Sequence, residues 1–304
     1  MTKRIVVTGG TGFVGRKLVE KLVARGDEVV VLARRANDPR VPAGARCEAW
    51  TPDAIGPWAS HVDGARAVVH LAGEPVMGSR WTDEQKRRIR DSRVLSTRAI
   101  VDAIAKASSR PEALVCASAI GLYGPRPPEE TLDESSSRGE GFLADVVEAW
   151  EEEAVRAESF GARVVRLRIG IVLGDTGGAL AQMTLPFRFF VGGPVGSGEQ
   201  IVSWIHLDDV VGLLLLAIDD PAAKGAVNAT APSPVSMREL ARAIGRALHR
   251  PSFLPVPSLA VRVALGEAAE AVLTGQRVLP RAAERLGYRF RFTSIDDAVA
   301  DAVR

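Results

Sequence analysis

The chain has 304 residues, enough for one large α/β domain with a smaller lobe and for a core that needs no covalent staples. Hydrophobic residues make up 46% and charged residues 25%, which excludes wholesale disorder. Lys plus Arg is 39 against 37 for Asp plus Glu, and so balanced a charge argues against nucleic acid or an acidic membrane surface as the main partner.

Ile5-Val6-Val7 reads as a buried strand closed at once by Gly9 and Gly10. A helix is expected from Phe13 to about Arg25, ending at Gly26, followed by the strand Val29-Val30-Val31-Leu32. This is a βαβ unit, and it implies a parallel sheet. The alternation continues with a strand at Ala67–Leu71 and a helix from Thr82, its N-cap, to Ala107. A strand at Ala113–Cys116, a helix at Phe142–Phe160 and a strand at Arg163–Leu167 follow. The acidic run Glu151-Glu152-Glu153 reads as a solvated helix face. After Gly174, glycine pairs and six prolines from Pro232 to Pro280 announce shorter, irregular elements.

The fold expected is therefore α/β, a doubly wound parallel sheet of Rossmann type with a smaller C-terminal substrate lobe. Residues 1–175 would form the nucleotide-binding domain, with 200–230 returning to it, and 176–304 mainly the lobe. Cys47 and Cys116 have no CxxC spacing and read as two buried thiols, and His61, His70, His206 and His249 give no metal spacing. The longest apolar run, Val210–Ile218, is too short to span a bilayer. The three apolar residues after Met1-Thr2-Lys3-Arg4 predict no export and a cytoplasmic location.

Gly9-Gly10-Thr11-Gly12-Phe13-Val14-Gly15 spells GxxGxxG between strand and helix. Residues without Cβ let a pyrophosphate approach the backbone, and the helix N-terminus offers free N–H groups. An acidic residue at the end of the second strand would bind the ribose 2′-hydroxyl of NAD. Here Ala33-Arg34-Arg35 stands there, and two guanidiniums suit the 2′-phosphate of NADP(H).

These residues resemble the opening of the extended short-chain dehydrogenases/reductases, the epimerase and dehydratase superfamily. His70-Leu71-Ala72-Gly73 and Ser203–Val210 are similar to later segments of that superfamily. Leu71–Pro75, Gly192–Gly198, Asn228–Pro232 and Gly275–Pro280 resemble more narrowly its atypical branch of epimerase-family proteins. The resemblance implies NADP(H) bound by the Rossmann domain near Leu71, Ala72, Gly73 and Val172, and a small polar substrate held against the lobe.

The superfamily's Tyr-x-x-x-Lys pair is missing. Matching its following Glu to Glu151 puts Leu143 and Val147 at the Tyr and Lys positions, and neither can move a proton. Three side chains are then weighed as catalytic. Ser118 lies one residue off the usual serine position, and a strand-end serine bonded to backbone is the other reading. Tyr123 is either a proton donor or a structural hydroxyl. Glu74 is either a proton acceptor or a solvated loop residue. Arg93 holds the position of a superfamily Asn and either contacts the cofactor or forms a helix-surface ion pair. Asp208 or Asp209 reads as the cap of the next helix. The leading expectation is oxidoreductase or epimerase-like chemistry without metal, and the rival is a non-catalytic NADPH-binding sensor. A second copy of the chain stands as an option for a macromolecular partner.

Overall fold

A computed structural model describes residues 4–175 and 177–304. Met1, Thr2 and Lys3, where the export reading starts, and Thr176 lie outside them. Seven parallel strands form the central sheet: β1 (Arg4–Thr8), β2 (Glu28–Ala33), β3 (Arg46–Ala49), β4 (Ala67–His70), β5 (Ala113–Ala119), β6 (Arg163–Ile169) and β7 (Gly225–Ala229). Their spatial order is β3-β2-β1-β4-β5-β6-β7. The winding reverses between β1 and β4, which opens a crevice at their carboxyl ends.

The apolar runs of β1, β2 and β4 are buried because helices cover both faces of the sheet. On one face α1 (Phe13–Ala24) and α5 (Leu207–Asp219) pack Leu18, Leu22, Val210 and Leu214 against it. On the other, α2 (Asp83–Lys106) and α3 (Phe142–Val155) contribute Ile100, Ile104, Trp150 and Ala154. The Thr82 side chain accepts from Gln85 N, as its capping position requires. A third core joins α4 (Gly178–Arg188), α6 (Met237–Leu248) and the C-terminal helix Ile295–Ala302 around Trp204, Leu240 and Val299. The helix α7 (Ser258–Leu265) buries only Val261.

Four local readings are corrected. The Phe142–Phe160 helix is α-helical to Val155 and tightens to a 3₁₀ turn at Arg156–Phe160. Glu151 is buried rather than solvated, and Glu153 pairs with Arg98 and Arg156. Cys47 is only half-buried, because β3 is the outer strand of the sheet, whereas Cys116 is buried. The cap of α5 is His206, whose Nδ1 accepts from Asp208 N. Asp209 instead accepts from the Tyr288 hydroxyl and from the backbone N–H groups of Arg291 and Phe292, clasping the C-terminal segment to α5.

Candidate functional site: the crevice at the carboxyl edge of β1 and β4

The glycine turn follows β1 directly. Gly9 has φ +69°, and a Cβ there would stand 2.8 Å from the Leu71 carbonyl carbon. A Cβ on Gly15 would stand 2.2 Å from Gly9 O, so α1 sits on the turn at a distance only glycine permits. Gly12 differs. It is exposed, and a Cβ there would meet only Gly9 O, at 3.3 Å. As the N-cap of α1 it gives no side-chain cap, and the first turn holds no acid. The first N–H groups of α1 are therefore free of a competing carboxylate beside an open backbone. Thr11 is half-buried, while Phe13 turns its ring onto Gly174, Gly177 and Gly178 and Val14 packs against the core.

Two polar side chains that the sequence reading passed over hold the other lip. Thr8 Oγ1 accepts from Leu71 N and Ala72 N, both at 3.2 Å, and lies 2.7 Å from His70 Nδ1. With two N–H groups already donating to it, the Thr8 hydroxyl gives its proton to Nδ1. His70 is thus the Nε2–H form, and Nε2 donates to Ser96 Oγ at 3.0 Å, which donates to Ser92 O. Burial, with the charge of Arg93 adding, pushes the His70 pKa down to about 3. The signal in the sequence was a Thr and a His ending strands that are otherwise apolar.

Ala33 is buried at the end of β2 and accepts from Trp50 N. Arg34 and Arg35 follow it and are exposed. Asp38, a few residues on, is gripped by Arg40 through Nε at 3.0 Å and Nη2 at 2.6 Å; these hydrogen bonds hold its carboxyl down at about 2. Gly73 is exposed, and a Cβ there would stand 3.2 Å from the Arg93 guanidinium carbon. Arg93 Nη1 donates to Glu74 O at 3.0 Å and Ile89 O at 2.9 Å, and its guanidinium lies 5.2 Å from the Trp150 ring centroid. Among the described residues Arg93 makes no ion pair, so the helix-surface pairing weighed for it is not what the fold contains. Burial lowers its pKa to about 10, against the pull of Glu74.

The hydroxyls weighed for catalysis face elsewhere. The β5–β6 register sets Ser118 beside Arg168, on the face that α3 covers. Ser118 Oγ donates to Glu151 Oε1 at 2.6 Å, and Arg168 grips the same carboxylate through Nε at 2.8 Å and Nη2 at 2.9 Å. Arg166 adds a third charged donor at 3.0 Å. Tyr123 is fully buried; its hydroxyl donates to Asn228 Oδ1 at 2.8 Å and accepts from Arg168 at 2.9 Å. Burial pushes its pKa up although Arg168 opposes this. Both groups belong to one buried network, in which Ser118 gives its one hydroxyl proton to Glu151 and the Tyr123 hydroxyl gives its proton to Asn228. Leu143 and Val147 lie against the Gly121 turn, as their i, i+4 spacing requires. Glu74 is half-buried, with Arg88 at 3.7 Å. Val172 belongs to a short strand paired with Trp204–His206, and its side chain packs on the core. No cluster of metal-ligating side chains occurs among the described residues.

Residues 5–229 match the NAD dependent epimerase/dehydratase family, and residues 256–302 match a domain of unknown function, DUF1731. The chain belongs to the NAD dependent epimerase/dehydratase family. Within that family it is 43% identical to the chloroplastic SDR39U1 homolog of Arabidopsis thaliana, over 97% of this chain and 85% of that protein. It is 40% identical to the epimerase family protein SH2119 of Staphylococcus haemolyticus, over 99% of both. The crystal structure of human epimerase family protein SDR39U1 (isoform 2) with NADPH superposes with a TM-score of 0.87 at 33% identity, covering 99% of each chain. No helix among the described residues is long and apolar enough to cross a membrane.

Proposed function

We propose that the chain binds NADP(H) along the crevice and exchanges hydride with a small polar substrate held between the sheet and the lobe. The observation that carries this reading is the end of β2. Arg34 and Arg35 are exposed there, and the nearby acid Asp38 is already locked by Arg40. A 2′-phosphate would meet two guanidiniums, whereas a 2′-hydroxyl would meet no open carboxylate. The NADPH in the human relative's crystal structure supports the same cofactor.

The residues present fit the group. The exposed backbone at Gly12 and the free N–H groups of α1 suit a pyrophosphate. Only the side-chain-free Gly73 stands beside the largely buried Arg93 guanidinium, and that cation has no carboxylate of its own, so it can orient the ribose or a phosphate. The bound nicotinamide would supply or accept the hydride. Leu143 and Val147, packed on the Gly121 turn, offer it no proton-transferring group. Proton exchange falls to Glu74, to water or to the substrate, because no Tyr–Lys pair is present.

A second reading, a protein that binds NADPH and does no chemistry, is favoured by one observation: the Ser118 and Tyr123 hydroxyls are both consumed inside the buried network. Protein loaded with NADPH and challenged with carbonyl compounds and sugar nucleotides separates the two. Oxidation of the bound cofactor by any member supports the enzyme, and tight binding without oxidation supports the sensor. Failure to bind NADPH would overturn both.

A further inference from the structure

The five tryptophans differ in what their indole N–H groups meet. Trp58 donates to Ala54 O at 3.2 Å, Trp81 to Val76 O at 2.9 Å and Trp204 to Ser233 O at 2.9 Å. The N–H of Trp150 is fully enclosed without a hydrogen bond. Trp50 is unlike all four. The residue is only 7% exposed, and its N–H has no partner among the described residues, yet that atom is not enclosed as in Trp150. The small exposed part of the ring therefore includes its one polar atom. A buried tryptophan usually finds an acceptor for this group.

The position of the ring says where that acceptor would come from. Trp50 follows the last residue of β3, at the carboxyl edge of the sheet where ligands bind in this architecture. Its backbone N donates to Ala33 O at 2.9 Å, which ties it to the end of β2 directly before Arg34 and Arg35. Its ring lies edge-on to His70 at the end of β4, with 6.2 Å between centroids. The sheet order is β3-β2-β1-β4, so a ring that starts from β3 and meets His70 passes the ends of β2 and β1. His70 cannot take the indole proton, because Thr8 already bonds its Nδ1 and its own Nε2–H donates to Ser96. Trp58 stands edge-on at 5.6 Å and offers no acceptor. The rest of the ring belongs to the apolar cluster that includes Leu32 and Val68. The N–H is thus left to the crevice.

We infer that Trp50 receives the adenine base of the cofactor, its indole N–H donating to a ring nitrogen of the base. The inference rests on the NADP(H) reading of the crevice and deepens it. The 2′-phosphate goes to Arg34 and Arg35 and the pyrophosphate to the start of α1, and the base had no contact of its own. Adenine presents ring nitrogens that only accept, and an indole N–H only donates. An aromatic edge beside the base adds sequence-independent contact area. Unlike the two arginines, this contact carries no charge, so it reads the base and is blind to the 2′-phosphate.

Calorimetric titration of Trp50→Phe with NADPH and NADH tests this. The variant keeps an aromatic ring and removes the donor. Both cofactors should weaken by the same factor, about three- to tenfold, the size of one uncharged hydrogen bond, with the preference between them intact. The adenosine half alone, 2′,5′-ADP, should lose that factor too, whereas reduced nicotinamide mononucleotide, which lacks the base, should lose nothing. Trp58→Phe truncates the neighbouring ring and should leave all four affinities unchanged. A loss confined to NADPH and 2′,5′-ADP overturns the inference, because Trp50 then only props the strand end that carries Arg34 and Arg35. Parent-like affinities throughout overturn it as well. Thermal unfolding of both variants shows whether a loss merely follows stability, and an equal loss for the mononucleotide would say the same and overturn it. A parent chain that binds no NADPH removes the cofactor reading itself.

Discussion

Ser118 and Glu151 are joined by a 2.6 Å hydrogen bond inside the sheet–helix interface. Arg168 and Arg166 close on the same carboxylate. Burial alone would raise the Glu151 pKa, but the hydrogen bonds and charge of Arg168 outweigh it, and the net shift is downward. The folded value lies below the ordinary 4.5, so the stabilisation is complete above pH 4.5 and is lost as pH falls through the folded value. Glu151→Ala strands two arginines and should cost about 3–5 kcal/mol at neutral pH, whereas Ser118→Ala, which removes one bond to the charged carboxylate, should cost about 1.5–3 kcal/mol. Urea unfolding at pH 7 checks both, and equal small losses would contradict the assignment.

His70 makes the fold acid-sensitive in a higher pH range. Its pKa falls from 6.5 unfolded to about 3 folded, so the neutral form stabilises the fold fully above pH 6.5. That contribution declines by about 1.4 kcal/mol per pH unit below 6.5 until about pH 3. His70→Asn should be less stable at pH 7 and show a flatter stability profile between pH 6.5 and 5. Parallel profiles for the two proteins would show that His70 is not buried neutral.

Gly12 and Gly15 should separate binding from folding. Gly15→Ala places a methyl 2.2 Å from Gly9 O and should lower the melting temperature sharply. Gly12→Ala meets only one atom, at 3.3 Å, with ordinary backbone at φ −85°, so the fold should tolerate it. NADPH affinity should nevertheless fall, because the methyl occupies the approach of the pyrophosphate. Calorimetry and thermal unfolding of both variants read the difference.

NADPH should bind at least about tenfold more tightly than NADH, since each charged hydrogen bond contributes roughly 1.5–3 kcal/mol. Arg34→Ala with Arg35→Ala should remove the preference by weakening NADPH and leaving NADH unchanged. Equal titrations of the two cofactors by the parent chain would refute this.

Arg93→Ala should lose about 1.5–3 kcal/mol of NADPH binding. Thermal stability should change little, because a buried cation without a carboxylate partner is costly to keep and its removal offsets the two lost carbonyl contacts. Arg93→Lys should recover part of the affinity. If binding declines only in step with stability, Arg93 braces the Gly73–Glu74 loop and nothing more.

The first βαβ unit was legible because β1 and β2 are short apolar runs, the helix between them opens on a glycine turn, and Gly26 closes it. Glu151 was misread because helical periodicity shows which residues share a face but not what that face meets. Its partners come from β5 and β6, and only the register of those strands brings Ser118 and Arg168 to it. Tyr123 was ambiguous for the same reason: Asn228 lies 105 residues away. The glycine turn and the arginines after β2 needed no tertiary partner to be recognised, and the Thr8–His70–Ser96 chain did.

The Asp209 clasp bears on how such a chain can be rebuilt by recombination. Its carboxylate is fixed to the backbone of Arg291 and Phe292, and Glu134 likewise accepts from Asn228 N and Ala282 N. The last stretch of the polypeptide is therefore wired into elements laid down long before it. The lobe is not a detachable module. A chimera that exchanges it between relatives should keep its fold only if the grafted piece brings donors that reach Asp209 and Glu134. Inheritance of the two halves is thus coupled through these carboxylates and through the bonds of Ser203, Asn228 and Thr230 to residues 276–279.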